Sequence, residues 1–311
     1  MVDLDTFVTT LYVEIDDFCK TALPPERQHP GRRPSLSRSE VLTLAMLEQW
    51  YHWASERDFY RDACRRLRWA FPTMPSRAQF NRLVRQQGKA LIRVALALGA
   101  TIEPACPYEV MDTVGVATRD ARRRGTGWFP GLVDKGRCSR LGWYVGFRVL
   151  DVVTPHGALT GVVTSTASVN DRYLAERLLA ARALPHAVQE EGAGRAHATR
   201  ILADGNFWSP AWQEAWRTHY GCTVLAPPQR NTRYYEDWTK AMRRWLASHR
   251  QIVETVHHRL LTYFSLARER PHSISGFHAR LAARVGLHNF CLRLNQQLGR
   301  PLLAVADLID W

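Results

Sequence analysis

The chain has 311 residues, 46% hydrophobic and 23% charged, a balance that excludes global disorder and supplies enough apolar side chains for a substantial core. Its 42 Lys and Arg against 29 Asp and Glu leave a formal charge of +13, which points to a polyanionic partner such as nucleic acid or else reflects only an Arg-rich coding bias. No apolar run approaches the ~20 residues of a membrane span, the acidic opening MVDLDTFVTTLYVEIDD lacks the basic region and cleavage site of a targeting peptide, and the cysteines Cys19, Cys64, Cys106, Cys138, Cys222 and Cys291 form no CxxC pair, so the chain is expected to be cytoplasmic, with reduced thiols and no zinc site.

Residues 1–105 read as a helical N-terminal domain. Ser37 and Glu40 have capping-box spacing before the apolar run 41–47, and Ser76 and Gln79 repeat it before Phe80, Leu83 and Val84. From about residue 106 the pattern becomes strand-like. Strands are expected over 108–117 (YEVMDTVGVA), 143–153 (WYVGFRVLDVV) and 159–166 (LTGVVTST), the first two separated by a Gly-punctuated basic loop, 118–142. A helix over 171–183, a strand over 199–203, a helix over 210–219 and a strand over 222–226 follow, with a polar loop at 189–198. A long helix is expected from Arg250, and the last forty residues read as helical. Three strands, helix, strand, helix, strand, helix is an α/β order on a partly parallel five-stranded sheet. It divides the chain into a helical domain (1–105), an α/β domain (106–271) and a C-terminal helical extension packing on it (272–311).

Three carboxylates stand out. Asp112 interrupts the apolar strand Val110-Met111-Asp112-Thr113-Val114, where a carboxylate is costly unless paired or bound to metal. Asp204 follows the fourth strand in Ile201-Leu202-Ala203-Asp204-Gly205-Asn206, at the strand end where open α/β sheets place ligands. Glu254 shares the stripe Arg250, Glu254, His258, off the core stripe Val253, Val256, Leu260, Phe264. Two Asp and one Glu make an all-oxygen site suited to Mg²⁺ or Mn²⁺, and two such ions can drive phosphoryl transfer. Each residue also has a plainer role: a strand-end hydrogen bond for Asp112, a turn for Asp204, a surface pair with Arg250 for Glu254.

In these segments, and in Gly142-Trp143-Tyr144-Val145-Gly146-Phe147-Arg148 and Arg250-Gln251-Ile252-Val253-Glu254-Thr255-Val256, the chain resembles bacterial insertion-sequence transposases of the DDE type, within the RNase H-like (retroviral integrase) superfamily. The resemblance implies an RNase H-like fold over most of residues 106–290, with Asp112, Asp204 and Glu254 holding two catalytic Mg²⁺ or Mn²⁺ ions. It also carries over Arg250 as a contact to DNA. Where relatives have a Tyr three residues before this Arg and a Lys seven after the Glu, this chain has Ala247 and Leu261; Arg259 is the candidate replacement for the Lys.

Basic residues extend the expected DNA surface. Arg119, Arg122, Arg123, Arg124, Lys135, Arg137, Arg140 and Arg148 crowd residues 118–148, with Trp128 and Phe129 as candidate base-stacking groups, or else form a solvated loop. Arg230 and Arg233 follow the fifth strand. Arg77 and Arg82 lie on a helix that fits the second helix of a helix-turn-helix, though a dimerisation bundle fits as well. His257 and His258 read as polar helix surface. The resulting expectation is a cytoplasmic, nucleoid-associated bacterial transposase, acting as a homodimer on double-stranded DNA ends and target without a small-molecule cofactor. The alternatives are an RNase H-like nuclease or resolvase without strand transfer, and a non-catalytic DNA-binding descendant.

Overall fold

The computed structural model describes residues 1–25, 34–120, 129, 132–183, 196–270 and 272–311. Its elements, in chain order, are β1 (Val2–Asp3), α1 (Leu4–Ala22), α2 (Arg38–Leu47), α3 (Glu56–Arg66), α4 (Arg77–Gln86), α5 (Gly88–Ile102), β2 (Glu109–Asp120), β3 (Asp134–Cys138), β4 (Gly142–Val153), β5 (Leu159–Thr166), α6 (Asp171–Ala183), β6 (Arg200–Leu202), α7 (Pro210–Tyr220), β7 (Thr223–Leu225), α8 (Lys240–Thr262), α9 (Ile274–Gln297) and β8 (Ile309–Asp310). Ser37 and Glu40 close a full capping box on α2, and Ser76 caps α4 by accepting from the Gln79 N–H.

The sheet runs β5–β4–β2–β6–β7. The β2, β4 and β5 pairings are antiparallel, while β6 and β7 continue from β2 in parallel. This is the RNase H-like order, with all five expected strands in place. Three expectations need correction. Residues 134–138, expected as loop, form β3, which pairs with Gly142–Gly146 while β5 pairs with the rest of β4. Polar residues and Gly136 hid this ribbon, whose glycine is needed because a Cβ there would lie 2.3 Å from the Ala167 carbonyl oxygen. Helix α8 starts at Lys240, not Arg250: Thr239 caps it and Leu246 extends the buried stripe back from Val253. The last residues are not all helical, since Gly299 (φ +64°) ends α9 and the chain returns as β8 beside β1.

One face of the sheet packs Met111, Leu150 and Val152 against Leu174 and Leu178 of α6 and Trp216 of α7. The other face belongs to a larger apolar cluster that runs without a break through α8, α9 and the N-terminal helices. Helix α9 is buried almost all round, and Asn289 ties it down by accepting from the Leu159 N–H and donating to the Leu159 and Ala95 carbonyls. Among the described residues no helix is long and apolar enough to cross a membrane.

Strand β2 begins on a buried ion pair. Glu109 accepts from Arg182 of α6 at 2.8 Å, the two side chains being 0% and 4% exposed, and also from the Thr160 hydroxyl. Removing one member strands the other charge in the core. Arg182→Ala is therefore expected to lower the unfolding free energy in urea by about 3–5 kcal/mol, with much of the loss recovered by adding Glu109→Gln; a loss under ~1 kcal/mol would show the pair to be unimportant.

Candidate active site

The parallel register sets the centre of the site. Val110 of β2 lies opposite Leu202 of β6, so Asp112, within β2, and Asp204, two residues past the end of β6, lie close enough for the charge of one to act on the other. β6 stops at Leu202, but the Ala203 N–H still bonds to the Leu225 carbonyl at 2.9 Å. Asp204 then turns the chain, accepting from the Asn206 N–H at 2.9 Å and its side-chain amide at 3.2 Å. The turn role and the site role are thus held by the same carboxylate.

Helix α8 packs across β2, β4 and β6 and brings Arg250 onto Asp112. Their Nη2–Oδ2 distance is 2.9 Å, with the side chains 15% and 19% exposed. The expected surface pair of Arg250 with Glu254 is therefore replaced by a mostly buried pair across the sheet. Two further pairs flank it. Asp171, at the start of α6, accepts from Arg148 at 2.7 Å and from the Thr113 hydroxyl at 3.1 Å. Asp151, fully buried and paired in register with Asp112, lies 3.2 Å from Nε2 of His257. His257 is thus not polar helix surface: it sits between Val253 and Leu260 on the buried side of α8, whereas His258 is exposed. Burial lowers the His257 pKa, but Asp151 outweighs that and leaves it above the ordinary imidazole value.

Asp204 and Glu254 have no ion pair among the described residues. Burial first, and then the negative charge of Asp112, push the Asp204 carboxyl up to about 6, with Arg250 pulling the other way. Burial likewise raises Asp171 against the pull of Arg148. Glu254 is exposed, one turn beyond Arg250, and its charge reaches His257. Among the described residues no three His, Cys, Asp or Glu side chains are gathered tightly enough to hold a metal ion. Asp112 and Asp204 come together, while Glu254 stands on the adjoining helix without closing a cage. Arg250 occupies the Asp112 oxygen that the expected three-carboxylate cage would use. The donor set nonetheless fits a hard divalent cation: the oxygens are carboxylates, and burial, with the Asp112 charge adding to it, raises the Asp204 pKa, a penalty that a cation would relieve.

The basic residues separate into groups. Lys135 and Arg137 are exposed on β3, with the Lys135 ammonium 4.9 Å from the centre of the exposed Trp143 ring. Arg140 donates to the Gly115 carbonyl at 2.6 Å, and Arg119 pairs with Val145 in the β2–β4 register. Arg122, Arg123, Arg124 and Trp128 lie outside the described residues. Phe129, expected to stack on a base, packs instead edge-on to Phe147. Arg230 and Arg233 are exposed after β7. Arg259 turns inward and donates to the Leu303 carbonyl. On α4 Arg82 is exposed, while Arg77 pairs with Glu56 at 3.2 Å. The sequence reading missed Asp151, Asp171 and His257. Asp151 carries the same signal as Asp112, a carboxylate inside an apolar strand (Leu150-Asp151-Val152).

A family profile described as the transposase DDE domain matches residues 120–290, more than half of the sequence. The chain belongs to that family. The matched span includes Asp204, Arg250 and Glu254; Asp112 lies just ahead of it. Comparison with curated proteins finds no match. Among solved structures, the Mos1 transposase paired-end complex with left transposon end is 10% identical, with 82% of this chain and 86% of that chain covered at a TM-score of 0.23. The Mos1 mariner paired-end complex with Mn is 10% identical, covering 81% and 86% at 0.23. Likeness at that score carries no structural weight, and membership rests on the profile.

The raised Asp204 pKa has a sign that can be measured. The folded chain holds this proton more tightly than the unfolded chain, the pKa rising from an ordinary 3.8 to about 6, so its stabilising effect is full below pH ~4 and lost as pH rises through ~6. Asp204→Asn is expected to stabilise the metal-free protein by about 1–2 kcal/mol at pH 7.5, after allowance for solvent screening, and by almost nothing at pH 4. Melting curves in EDTA at the two pH values check this; equal shifts at both would refute it.

Proposed function

We propose that this chain is an insertion-sequence transposase that binds the ends of its element, cuts phosphodiester bonds in a metal-dependent reaction and joins the freed 3′-hydroxyl to target DNA. The observation that carries this reading is the approach of Asp112, within β2, to Asp204, just past the end of the neighbouring β6, with Arg250 of α8 paired to Asp112 and Glu254 one turn further along that helix. Asp112, Asp204 and Glu254 would hold two Mg²⁺ or Mn²⁺ ions. Bound there, the ions supply Lewis acidity for the attacking oxygen and charge stabilisation for the leaving one.

The protein's own groups have separable tasks. Arg250 balances Asp112, and its planar fork would suit a phosphate next to the scissile bond. Arg148 and Thr113 fix Asp171, whose charge adds to the field at Asp204. The Asp151–His257 pair holds α8 in register on the sheet. Arg119, Arg122, Arg123, Arg124, Lys135, Arg137, Arg140, Arg230 and Arg233 contribute phosphate contacts. Arg77 and Arg82 of α4 face the terminal sequence, and two copies of the chain act together on paired DNA ends; Arg259, turned inward onto the Leu303 carbonyl, takes no part.

Asp112→Ala is expected to abolish Mg²⁺-dependent cleavage of an element-end duplex while changing DNA affinity less than about threefold, because chemistry depends on the ions and affinity on phosphate contacts. Gel analysis of cleavage and joined products, beside a binding titration, reads both. Cleavage at the wild-type rate would overturn the site; cleavage by the wild type without joined products would reduce the protein to a nuclease.

Arg250→Lys keeps the charge on Asp112 but loses the fork. Single-turnover cleavage is expected to fall tenfold or more, about 1.4 kcal/mol in the barrier, with the melting temperature nearly unchanged. An unaltered rate would leave Arg250 a purely structural partner of Asp112.

A further inference from the structure

The ribbon formed by β3 and the start of β4 has two unlike faces. Directly opposed residues of an antiparallel pair point the same way, and the register sets Gly136 against Tyr144, Arg137 against Trp143 and Lys135 against Val145. Gly136 and Tyr144 make the inner face. Tyr144 is 2% exposed, its ring packs so closely on β2 that a Cβ at Gly115 would lie 2.8 Å from it, and Gly136 lies under the Ala167 carbonyl. Lys135, Arg137 and Trp143 share the outer face. All three are exposed, Trp143 to 60%, and the Lys135 ammonium stands 4.9 Å from the centre of the indole.

This outer face is firmly held. Nη2 of Arg148 donates to the Arg137 carbonyl at 3.3 Å while its Nη1 donates to Asp171 at 2.7 Å, and the Ser168 hydroxyl donates to Asp134 at 2.8 Å. One guanidinium thus ties the ribbon to the carboxylates beside Asp112. From Trp143, β4 runs to Asp151, the register partner of Asp112, about 26 Å along the strand at ~3.3 Å per residue. The other exposed indoles among the described residues are differently engaged: Trp245 lies against His249, and Trp69 donates to Asp5 at 3.1 Å.

A flat ring between two cations matches a partner that offers a flat face between negative charges. In a duplex the base faces are covered by stacking, so its backbone can reach the cations while the ring gains nothing. An unpaired base exposes its face, and the phosphates on either side of it are free to meet Lys135 and Arg137. We propose that the outer face of this ribbon binds an unpaired DNA strand, with one base stacked on Trp143 and the adjoining phosphates on Lys135 and Arg137. The proposal rests on the transposase reading in taking DNA as the polyanion, and it uses none of the carboxylates.

The test is fluorescence anisotropy of a labelled oligothymidylate, and of a labelled duplex of equal length, titrated with the full chain in EDTA. Trp143→Ala is expected to weaken single-strand binding about fivefold or more and duplex binding less than about twofold, with an unchanged melting curve. Trp143→Phe should restore most of the single-strand affinity, because a smaller ring still stacks. Lys135→Gln with Arg137→Gln should weaken both ligands and flatten the dependence of affinity on salt. Equal losses for the two ligands in Trp143→Ala would overturn the proposal, as would wild-type single-strand affinity in that variant or no saturable binding of the oligonucleotide by the wild type. A change of oligomeric state in place of a change in DNA affinity would also overturn it and make the ring a protein contact. Because binding is read without metal, the expected pattern in a chain that never cleaves DNA would sustain the ribbon site and refute the cleavage reading. Cleavage by the wild type, with single-strand binding unaltered in Trp143→Ala, would do the reverse.

Discussion

A carboxylate held out of water must be answered by a positive charge or keep its proton, and the centre of this protein is arranged around that requirement. Asp112 is answered by Arg250, Asp171 by Arg148, Asp151 by His257 and Glu109 by Arg182. The partners come from different elements, so each pair is also a docking contact. Arg250 and His257, about two turns apart on α8, fix that helix on β2 and β4. Asp171 and Arg182, near the two ends of α6, fix that helix on β4 and β2. Among the described carboxylates around Asp112, Asp204 has no ion pair, and burial and the charge of Asp112 raise its pKa.

That imbalance separates scaffold from reaction centre. Paired charges such as Glu109 with Arg182 are deeply buried and complete, and they locate strands. Asp204 is incomplete and lies at a strand end beside a chain turn, where a cation can reach it. Arg250 stands between the two classes: it completes Asp112, yet both side chains keep some exposure, 15% and 19%.

The N-terminal helices and α9 do not touch the carboxylates, but they support the elements that carry them. One apolar cluster joins Phe7, Trp50, Phe264 and Phe290, with edge-on ring contacts from Phe7 to Trp50 and Phe290 and from Trp50 to Phe264. Asn289 pins α9 to the edge of β5. Helix α9 is buried along most of its length and opens to solvent only near its two ends.

Local physical chemistry made much of this legible from the sequence alone. Alternating apolar residues marked the five main strands, capping spacings marked α2 and α4, and Asp112 drew notice because a charge in an apolar strand demands a partner. The family signature around Asp204 and Glu254 was equally local. What the sequence could not determine was which charge meets which. Asp112 and Arg250 are 138 residues apart, and periodicity placed Arg250 beside Glu254 on one helix stripe, where a surface pair was the simplest reading. Only the tertiary packing of α8 across the sheet turned Arg250 toward Asp112, buried His257 against Asp151 and left Asp204 unanswered. Ribbon β3 was hidden for a related reason: its polar residues have no pattern of their own, and it is a strand because β4 supplies the hydrogen bonds. Periodicity is written in neighbouring residues, whereas the pairing of buried charges depends on which distant surfaces exclude water together.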